Sequence, residues 1–139
     1  MTWTYYVDPD LRIVFILEFH GFSFSELPAL YQTIFADPLY RQGMDICFDL
    51  RQVNFTDKDK YDFKFLSTLS STINSDVDQR LGECKLAVTV NTAEDYKLIH
   101  QWLVTLRMTS SPVERHLFQD YSTAREWLGV PEGYEIKYP

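Results

Sequence analysis

The chain has 139 residues, of which 45% are hydrophobic and 16% aromatic, which is enough apolar material for one core. Its formal net charge is −7, and such a surface repels the phosphates of nucleic acids and of anionic lipids. The longest apolar run, residues 13–17, is far shorter than the ~18 residues that a membrane span needs. The N-terminus lacks the basic start and the apolar stretch of a secretion signal. We therefore expect a single cytoplasmic domain over 1–139, without a membrane span and without a nucleic-acid partner.

The N-terminal part of the chain predicts two antiparallel strands. Residues Trp3 to Val7 read as the first strand, and Leu11 to His20 (LRIVFILEFH) as a second one rich in β-branched and aromatic residues. The segment Asp8-Pro9-Asp10 is a turn signal. Because this connection is short, we expect the two strands to be neighbours in one sheet.

The first predicted helix carries an apolar stripe at helical spacing, formed by Leu27, Leu30, Tyr31, Ile34 and Phe35. It should end at Asp37-Pro38, because the residue before a proline is pushed out of the α region. Two serines compete for its N-cap. Ser23 spells a capping box with Glu26, whereas Ser25 would put Pro28 in the first turn, where a missing N–H is harmless. The position of Pro28 therefore favours Ser25 as the N-cap of this helix.

The rest of the chain predicts three strands that alternate with three helices. The strands are Asp45 to Leu50, Lys85 to Val90 and Glu114 to Phe118, and the helices run from Asp57 to Ile73, from a Thr92 cap through Leu106, and from Ser122 to Leu128. Lys85 to Val90 is almost continuously apolar, as in a parallel sheet covered by helices. The order ββαβαβαβα implies right-handed crossovers and an α/β fold with a mostly parallel sheet. No position is predicted for the aromatic tail over 130–139.

The cysteines are predicted to be buried and free. With the carboxyl ends of their strands aligned, Cys47 lies level with about Ala87, and Cys84 is ~10 Å further down at ~3.3 Å per residue. That separation is too large for a disulfide. We expect both cysteines to act as small buried hydrophobic residues.

No sequence motif points to catalysis, a cofactor or a metal. The five glycines form neither GxGxxG nor GxxxxGK[ST], and no GxSxG is present. The three histidines, His20, His100 and His116, fall on separate elements, whereas a metal needs three or four converging ligands. The sequence therefore predicts no cofactor, no metal and no catalytic residue, and a protein that is not an enzyme.

The loops that follow the parallel strands are the best candidates for binding. In a parallel sheet, ligands and partners meet the loops beyond the carboxyl ends of the strands. Here these loops are residues 52–60, 91–94 and 119–122. The first of them belongs to the segment MDICFDLRQVNFTDKD, which reads as a buried strand, a polar turn and the start of a helix.

Four stretches together resemble the STAS fold, and more narrowly the stand-alone SpoIIAA-like proteins. They are YYVDPDLRIVFILEFHG with a helix ending in ADP, DICFDLRQVNF, KLAVTVNTAEDYKLIHQWL and HLFQDYSTAREWLG. The resemblance implies a βα superhelix of four to five mostly parallel strands in sequence order, covered by about four helices. It also implies a partner protein that is bound through the loop and helix after the third strand.

In the anti-sigma-factor antagonists of that family, the same helix opens with Asp-Ser, and phosphorylation of the serine breaks the complex. Phe55, Thr56 and Asp57 match the run before the serine, but Lys58 stands at the serine position. Lysine has no hydroxyl, and it adds positive charge where the helix dipole disfavours it. We therefore expect this position to carry no phospho-switch.

Two functions follow as hypotheses. The first is a non-catalytic STAS-like interaction or regulatory module that binds an unknown protein through Thr56, Asp57, Lys58, Asp59 and Tyr61. The alternative is a carrier of a small apolar or lipid-like ligand, held between helices and sheet by some of the 22 aromatic side chains (10 Phe, 9 Tyr and 3 Trp). The more common role of such aromatic residues is simply to fill the core. An N-terminal edge strand and the aromatic tail are also compatible with a homodimer.

Overall fold

The computed structural model describes residues 2–53, 55, 76–107 and 111–139, with only the backbone at 105–107. The predicted helix from Asp57 to Ile73 lies outside the described residues, and the chain is helical at 76–81 (α2). The strands are β1 (Trp3–Asp8), β2 (Ile13–Glu18), β3 (Asp45–Asp49), β4 (Cys84–Thr89) and β5 (Val113–Phe118). The other helices are α1 (Leu27–Phe35), α3 (Ala93–Arg107) and α4 (Tyr121–Trp127).

The five strands form one sheet in the order β1-β2-β3-β4-β5. The first pair is antiparallel, and the other three pairs are parallel. The predicted α/β class, the mostly parallel sheet and its sequence order are confirmed. The register places Cys47 opposite Ala87, as predicted, and both cysteines are free.

The sheet separates two hydrophobic cores. The first core lies under α1 and α3 and contains residues such as Val14, Ile16, Phe48 and Val88. The second core lies on the opposite face under α4 and contains Ile13, Phe15, Cys47 and Ala87. Successive residues of a strand point to opposite faces, so the central strands bury side chains in both cores.

The start of the first helix differs from the prediction that Ser25 is its cap. A short 3-10 turn, Phe24–Glu26, precedes α1, and Ser23 caps that turn. The Ser23 side chain accepts a hydrogen bond from the Ser25 N–H, and the Glu26 carboxylate accepts one from the Ser23 N–H at 2.8 Å. Pro28 still lies in the first turn of α1. The extra turn therefore satisfies both the capping box and the proline, which the sequence analysis treated as alternatives.

The C-terminal tail closes the second core without regular secondary structure. The Tyr134 ring stacks on Phe15, with 5.6 Å between the ring centroids, and its hydroxyl donates a hydrogen bond to Asp8. The Arg125 guanidinium donates to the Tyr134 carbonyl. Burial favours the neutral form of Asp8, but hydrogen bonds from Tyr134 and from two backbone N–H groups outweigh it and lower the pKa of this carboxyl.

A buried ion pair fastens α2 to the sheet. The guanidinium of Arg115 on β5 binds the carboxylate of Asp78 in a bidentate manner, at 2.9 and 2.5 Å. The two side chains are 5% and 1% exposed. The Ser111 hydroxyl donates a third hydrogen bond to Asp78, at 2.6 Å. Removal of the Asp78 carboxylate would take a counter-charge away from the buried Arg115 guanidinium, and breaking such a pair is strongly destabilising.

We expect Asp78→Ala to lower the free energy of unfolding by about 3–5 kcal/mol, because Arg115 would lose its counter-charge inside the protein. Urea denaturation measures this loss. The matched control is Glu114→Ala, which removes half of an ion pair whose side chains are 45% and 59% exposed and should change stability by less than about 1 kcal/mol. Equal losses in the two variants would contradict a structural role for the buried pair.

Candidate functional site

Strands β2 to β5 are parallel, so their carboxyl ends meet at one edge of the sheet, here named the C-terminal edge. The residues predicted to bind a partner, Thr56, Asp57, Lys58, Asp59 and Tyr61, lie outside the described residues. That prediction therefore stays a prediction. The described residues that lead into this segment, Val53 and Phe55, are buried in the first core.

The Phe55 side chain is anchored in the first core, just before the predicted binding residues. Its ring stacks on Phe24 with the centroids 5.6 Å apart, and Phe24 in turn contacts Trp102 of α3, with 5.1 Å between the centroids. The backbone after β3 is held by the Leu50 N–H, which donates to the Thr89 carbonyl at 2.8 Å. The chain therefore leaves β3 along the first core before it reaches the predicted binding segment.

An open cleft of about 1200 Å³ lies at the C-terminal edge. Residues that follow three successive strands line it: Arg51 after β3, Asn91 after β4, and Gln119 after β5. The remaining wall comes from α4 and the beginning of the tail. The structure thus brings together two of the three predicted binding loops, 119–122 and the start of 91–94. It adds Arg51, which directly precedes the third predicted loop, 52–60.

The Arg51 side chain is held at the wall of the cleft by an acid and by an aromatic ring. Its guanidinium binds the Asp49 carboxylate at 2.9 and 2.8 Å and lies 4.1 Å from the centroid of the Tyr121 ring. Asp49 is 7% exposed, whereas Arg51 remains 44% exposed. The hydrogen bonds that Arg51 donates to the Asp49 carboxylate raise the pKa of Arg51. The arginine is therefore a fixed positive charge with one side open to the cleft.

Neither of the two cysteines is an activated nucleophile. Burial raises the pKa of the Cys47 thiol to about 12 and that of Cys84 also to about 12. Both cysteines therefore stay protonated near neutral pH, and it is the thiolate that acts as a nucleophile. No three His, Cys, Asp or Glu side chains of the described residues lie together as metal ligands.

A second feature lies inside the first core, at the end of β2. Glu18 is fully buried, and neither of its carboxyl oxygens has a hydrogen-bond partner in the described part of the chain. Burial, and then the negative charges of Glu26 and Asp49, raise the pKa of Glu18 well above its usual value. The carboxyl is therefore held in its neutral form over a wider pH range than an exposed glutamate.

Glu18 faces a small internal cavity of about 20 Å³ between the sheet, α1 and α3. Most of the lining is apolar and aromatic, for example Phe24, Phe48 and Trp102, and Arg115 reaches it from β5. Such a volume accommodates about one water molecule. The aromatic side chains of the described residues pack in both cores, and the cavity in the first core is small and contains one unpartnered acid.

Glu18 is not among the predicted site residues, although the sequence contains a signal for it. Glu18 follows the apolar run of 13–17 within the predicted strand. By strand alternation it shares a face with Val14 and Ile16, which both lie in the first core. A carboxylate at a core-facing position is rare, and it indicates either a buried hydrogen-bond or charge partner or a functional role. Arg51 was missed because its importance depends on Tyr121, 70 positions later in the chain.

Comparison with protein-family models, with curated proteins and with solved structures found no match for this chain. None of the described helices combines the length and the apolar character that a membrane crossing requires.

Glu18→Gln should flatten the dependence of stability on pH. The pKa of Glu18 is raised in the folded state, so its contribution is complete below the unfolded value of about 4.5 and is lost as the pH rises through the folded pKa. In that window the wild-type protein should lose at most about 1.4 kcal/mol per pH unit relative to the variant. Urea denaturation at a series of pH values measures the difference.

The control for this comparison is Glu114→Gln at an exposed position of β5. Its stability should differ from that of the wild type by less than about 1 kcal/mol at every pH, because only an exposed ion pair is lost. If Glu18→Gln shows an equally small difference at every pH, Glu18 is not isolated in the first core.

Proposed function

We propose that this chain is a non-catalytic interaction or regulatory module of the STAS type, which binds a protein partner at its C-terminal edge. The observation that carries this proposal is the cleft, because the ends of three successive strands contribute to it. The resemblance of the sequence to SpoIIAA-like proteins supports the same edge. The cytoplasm is the compartment that we expect for such a module, and a homodimer stays a prediction.

Arg51 and Tyr121 are the residues that we expect to dominate binding. Arginine and tyrosine are enriched among the residues that contribute most energy to protein interfaces. Arg51 is already oriented by Asp49 and by the Tyr121 ring, so it loses little side-chain freedom when a partner binds. A partner that presents an acidic side chain would match the exposed side of the guanidinium.

Arg51→Glu should weaken capture of the partner from a lysate at least tenfold, because the charge at the centre of the contact is reversed. The milder variant Arg51→Gln removes the charge without placing a second acid beside Asp49. Quantitative pull-down with mass spectrometry measures the loss, and circular dichroism verifies that each variant is folded.

The matched control is Arg12→Glu. Arg12 is exposed in the turn before β2, at the opposite edge of the sheet, and it undergoes the same change of charge. Capture of the same proteins by Arg51→Glu, Arg51→Gln and the wild type would exclude the cleft as the interface. A loss that is equal in Arg12→Glu and Arg51→Glu would indicate a general effect of net charge.

A carrier of a small apolar ligand is the second candidate. One observation favours it: the fully buried Glu18 has no partner and faces a cavity with an aromatic lining. Ligand sites typically combine an apolar lining with a few polar groups that fix orientation. Because the cavity has only about 20 Å³, a ligand larger than one small group requires α1 or α3 to move away from the sheet.

For the carrier function, native mass spectrometry of the purified protein should show a bound small molecule that is released on unfolding. The interior of the first core is the expected position, so Leu103→Trp, which adds volume at the α3 side of the cavity, should reduce the bound fraction several-fold. Val104→Trp is the control, because Val104 is 41% exposed on the same helix. Protein that carries no ligand in any preparation would exclude this function.

A further inference from the structure

The strand β1 forms one edge of the sheet, and its outer side has no paired strand among the described residues. The Phe19 N–H donates to the Thr2 carbonyl, and the register of β1 and β2 continues this pairing along the whole strand. In an antiparallel pair, every second residue directs its backbone N–H and C=O groups away from the neighbouring strand. In β1 these outward residues are Trp3, Tyr5 and Val7, whose backbone groups are placed to pair with a further strand.

The composition of β1 does not protect this edge. Exposed edge strands usually carry lysine, proline or a bulge, which prevent pairing with another chain. β1 pairs one-to-one with β2 over all of its 6 residues, and it is uncharged from Trp3 through Val7. The strand at the opposite edge, β5, instead carries Glu114, Arg115 and His116. In a protein with a net charge of −7, two copies can therefore approach each other along β1 without opposing charged side chains.

The spacing of the outward residues selects one arrangement of two copies. With Tyr5 on a two-fold axis, Trp3 of one copy lies opposite Val7 of the other, and all outward residues form hydrogen-bonded pairs. A shift by two residues would place either Trp3 or Val7 opposite a residue outside the strand. The partly buried rings of Trp3 and Tyr5, whose centroids are 6.2 Å apart, would then contact the same side chains of the other copy.

We propose that β1 is an interface for a second copy of this chain, which pairs with it in the antiparallel direction about a two-fold axis at Tyr5. The sheet then continues from one copy into the other. Backbone hydrogen bonds and aromatic side chains form the contact. The residues that line the cleft lie outside β1, so this interface is distinct from the surface for the protein partner, and either can exist without the other.

Sedimentation equilibrium of the purified chain measures the association. We expect a dimer with a dissociation constant of about 1–100 µM, because the contact has a limited area. Tyr5→Lys should weaken it by about tenfold or more, since the two lysines face each other on the axis. Asp37, which accepts a hydrogen bond from the Tyr5 hydroxyl, can pair with this lysine, and circular dichroism verifies that the variant is folded. The control is His116→Lys on β5, whose side chain is 45% exposed and which should leave the dissociation constant within about twofold.

Tyr5→Cys tests the register. Opposite residues of a hydrogen-bonded antiparallel pair have Cα atoms about 5.5 Å apart, within the range that a disulfide spans. Oxidised glutathione should therefore cross-link Tyr5→Cys into a dimer on a non-reducing gel. Thr4→Cys should stay mostly monomeric, because Thr4 lies opposite Tyr6 of the other copy. The wild type should do the same, since its Cys47 is buried and its Cys84 is partly buried.

Each result supports or overturns the interface. A wild-type chain that stays monomeric at about 1 mM overturns it. A dimer that Tyr5→Lys leaves unchanged, or that His116→Lys weakens equally, overturns it as well. Cross-linking of Thr4→Cys as efficient as that of Tyr5→Cys contradicts the two-fold axis at Tyr5. If Tyr5→Lys does not fold, the cross-link of Tyr5→Cys decides alone. These measurements involve no other protein, so a failed capture of a partner at the cleft leaves them unaffected.

Discussion

The parallel sheet has to be covered on both faces, and the other elements are arranged to satisfy this requirement. The strand β2 shows it most clearly, since Ile13, Val14, Phe15 and Ile16 are all no more than 1% exposed. Each such side chain contributes roughly 1.5–3 kcal/mol through its removal from water. Helices α1 and α3 cover one face, and α4 with the tail covers the other. Because no face of β2 is left to water, even the glutamate at its end is enclosed.

The local patterns were sufficient to predict the sheet, and contacts between distant residues were not predictable. Apolar runs with turn signals between them placed all five strands within two residues at each end, and the strand order came from the resemblance. The start of α1 depended on a competition between Ser23 and Ser25, which the 3-10 turn resolves by satisfying both signals. The candidate site depends on the contact of Arg51 with the Tyr121 ring and on the position of Glu18 beside a small cavity. Neither can be read from the spacing of residues along the chain.

The cleft and the cavity lie on opposite faces of the sheet but share one charged neighbour. In the register of β2 and β3, Asp49 is paired with Leu17, next to Glu18. Its carboxylate binds Arg51 in the cleft, and the same negative charge contributes to the raised pKa of Glu18 on the other face. A change in the charge of Glu18 is therefore coupled electrostatically to the Asp49–Arg51 pair, and a change at that pair affects Glu18 in return.

The hydrogen bond from Tyr134 to Asp8 joins residues that are 126 positions apart. During synthesis, the first hairpin leaves the ribosome long before the tail that covers it, so the Tyr134 ring cannot cover Phe15 until the tail has been added. Native burial of this face is therefore a late event that requires the chain through at least Tyr134. Until then, the exposed apolar face is a surface that a chaperone could recognise, and a chain that stops short of Tyr134 would keep it exposed.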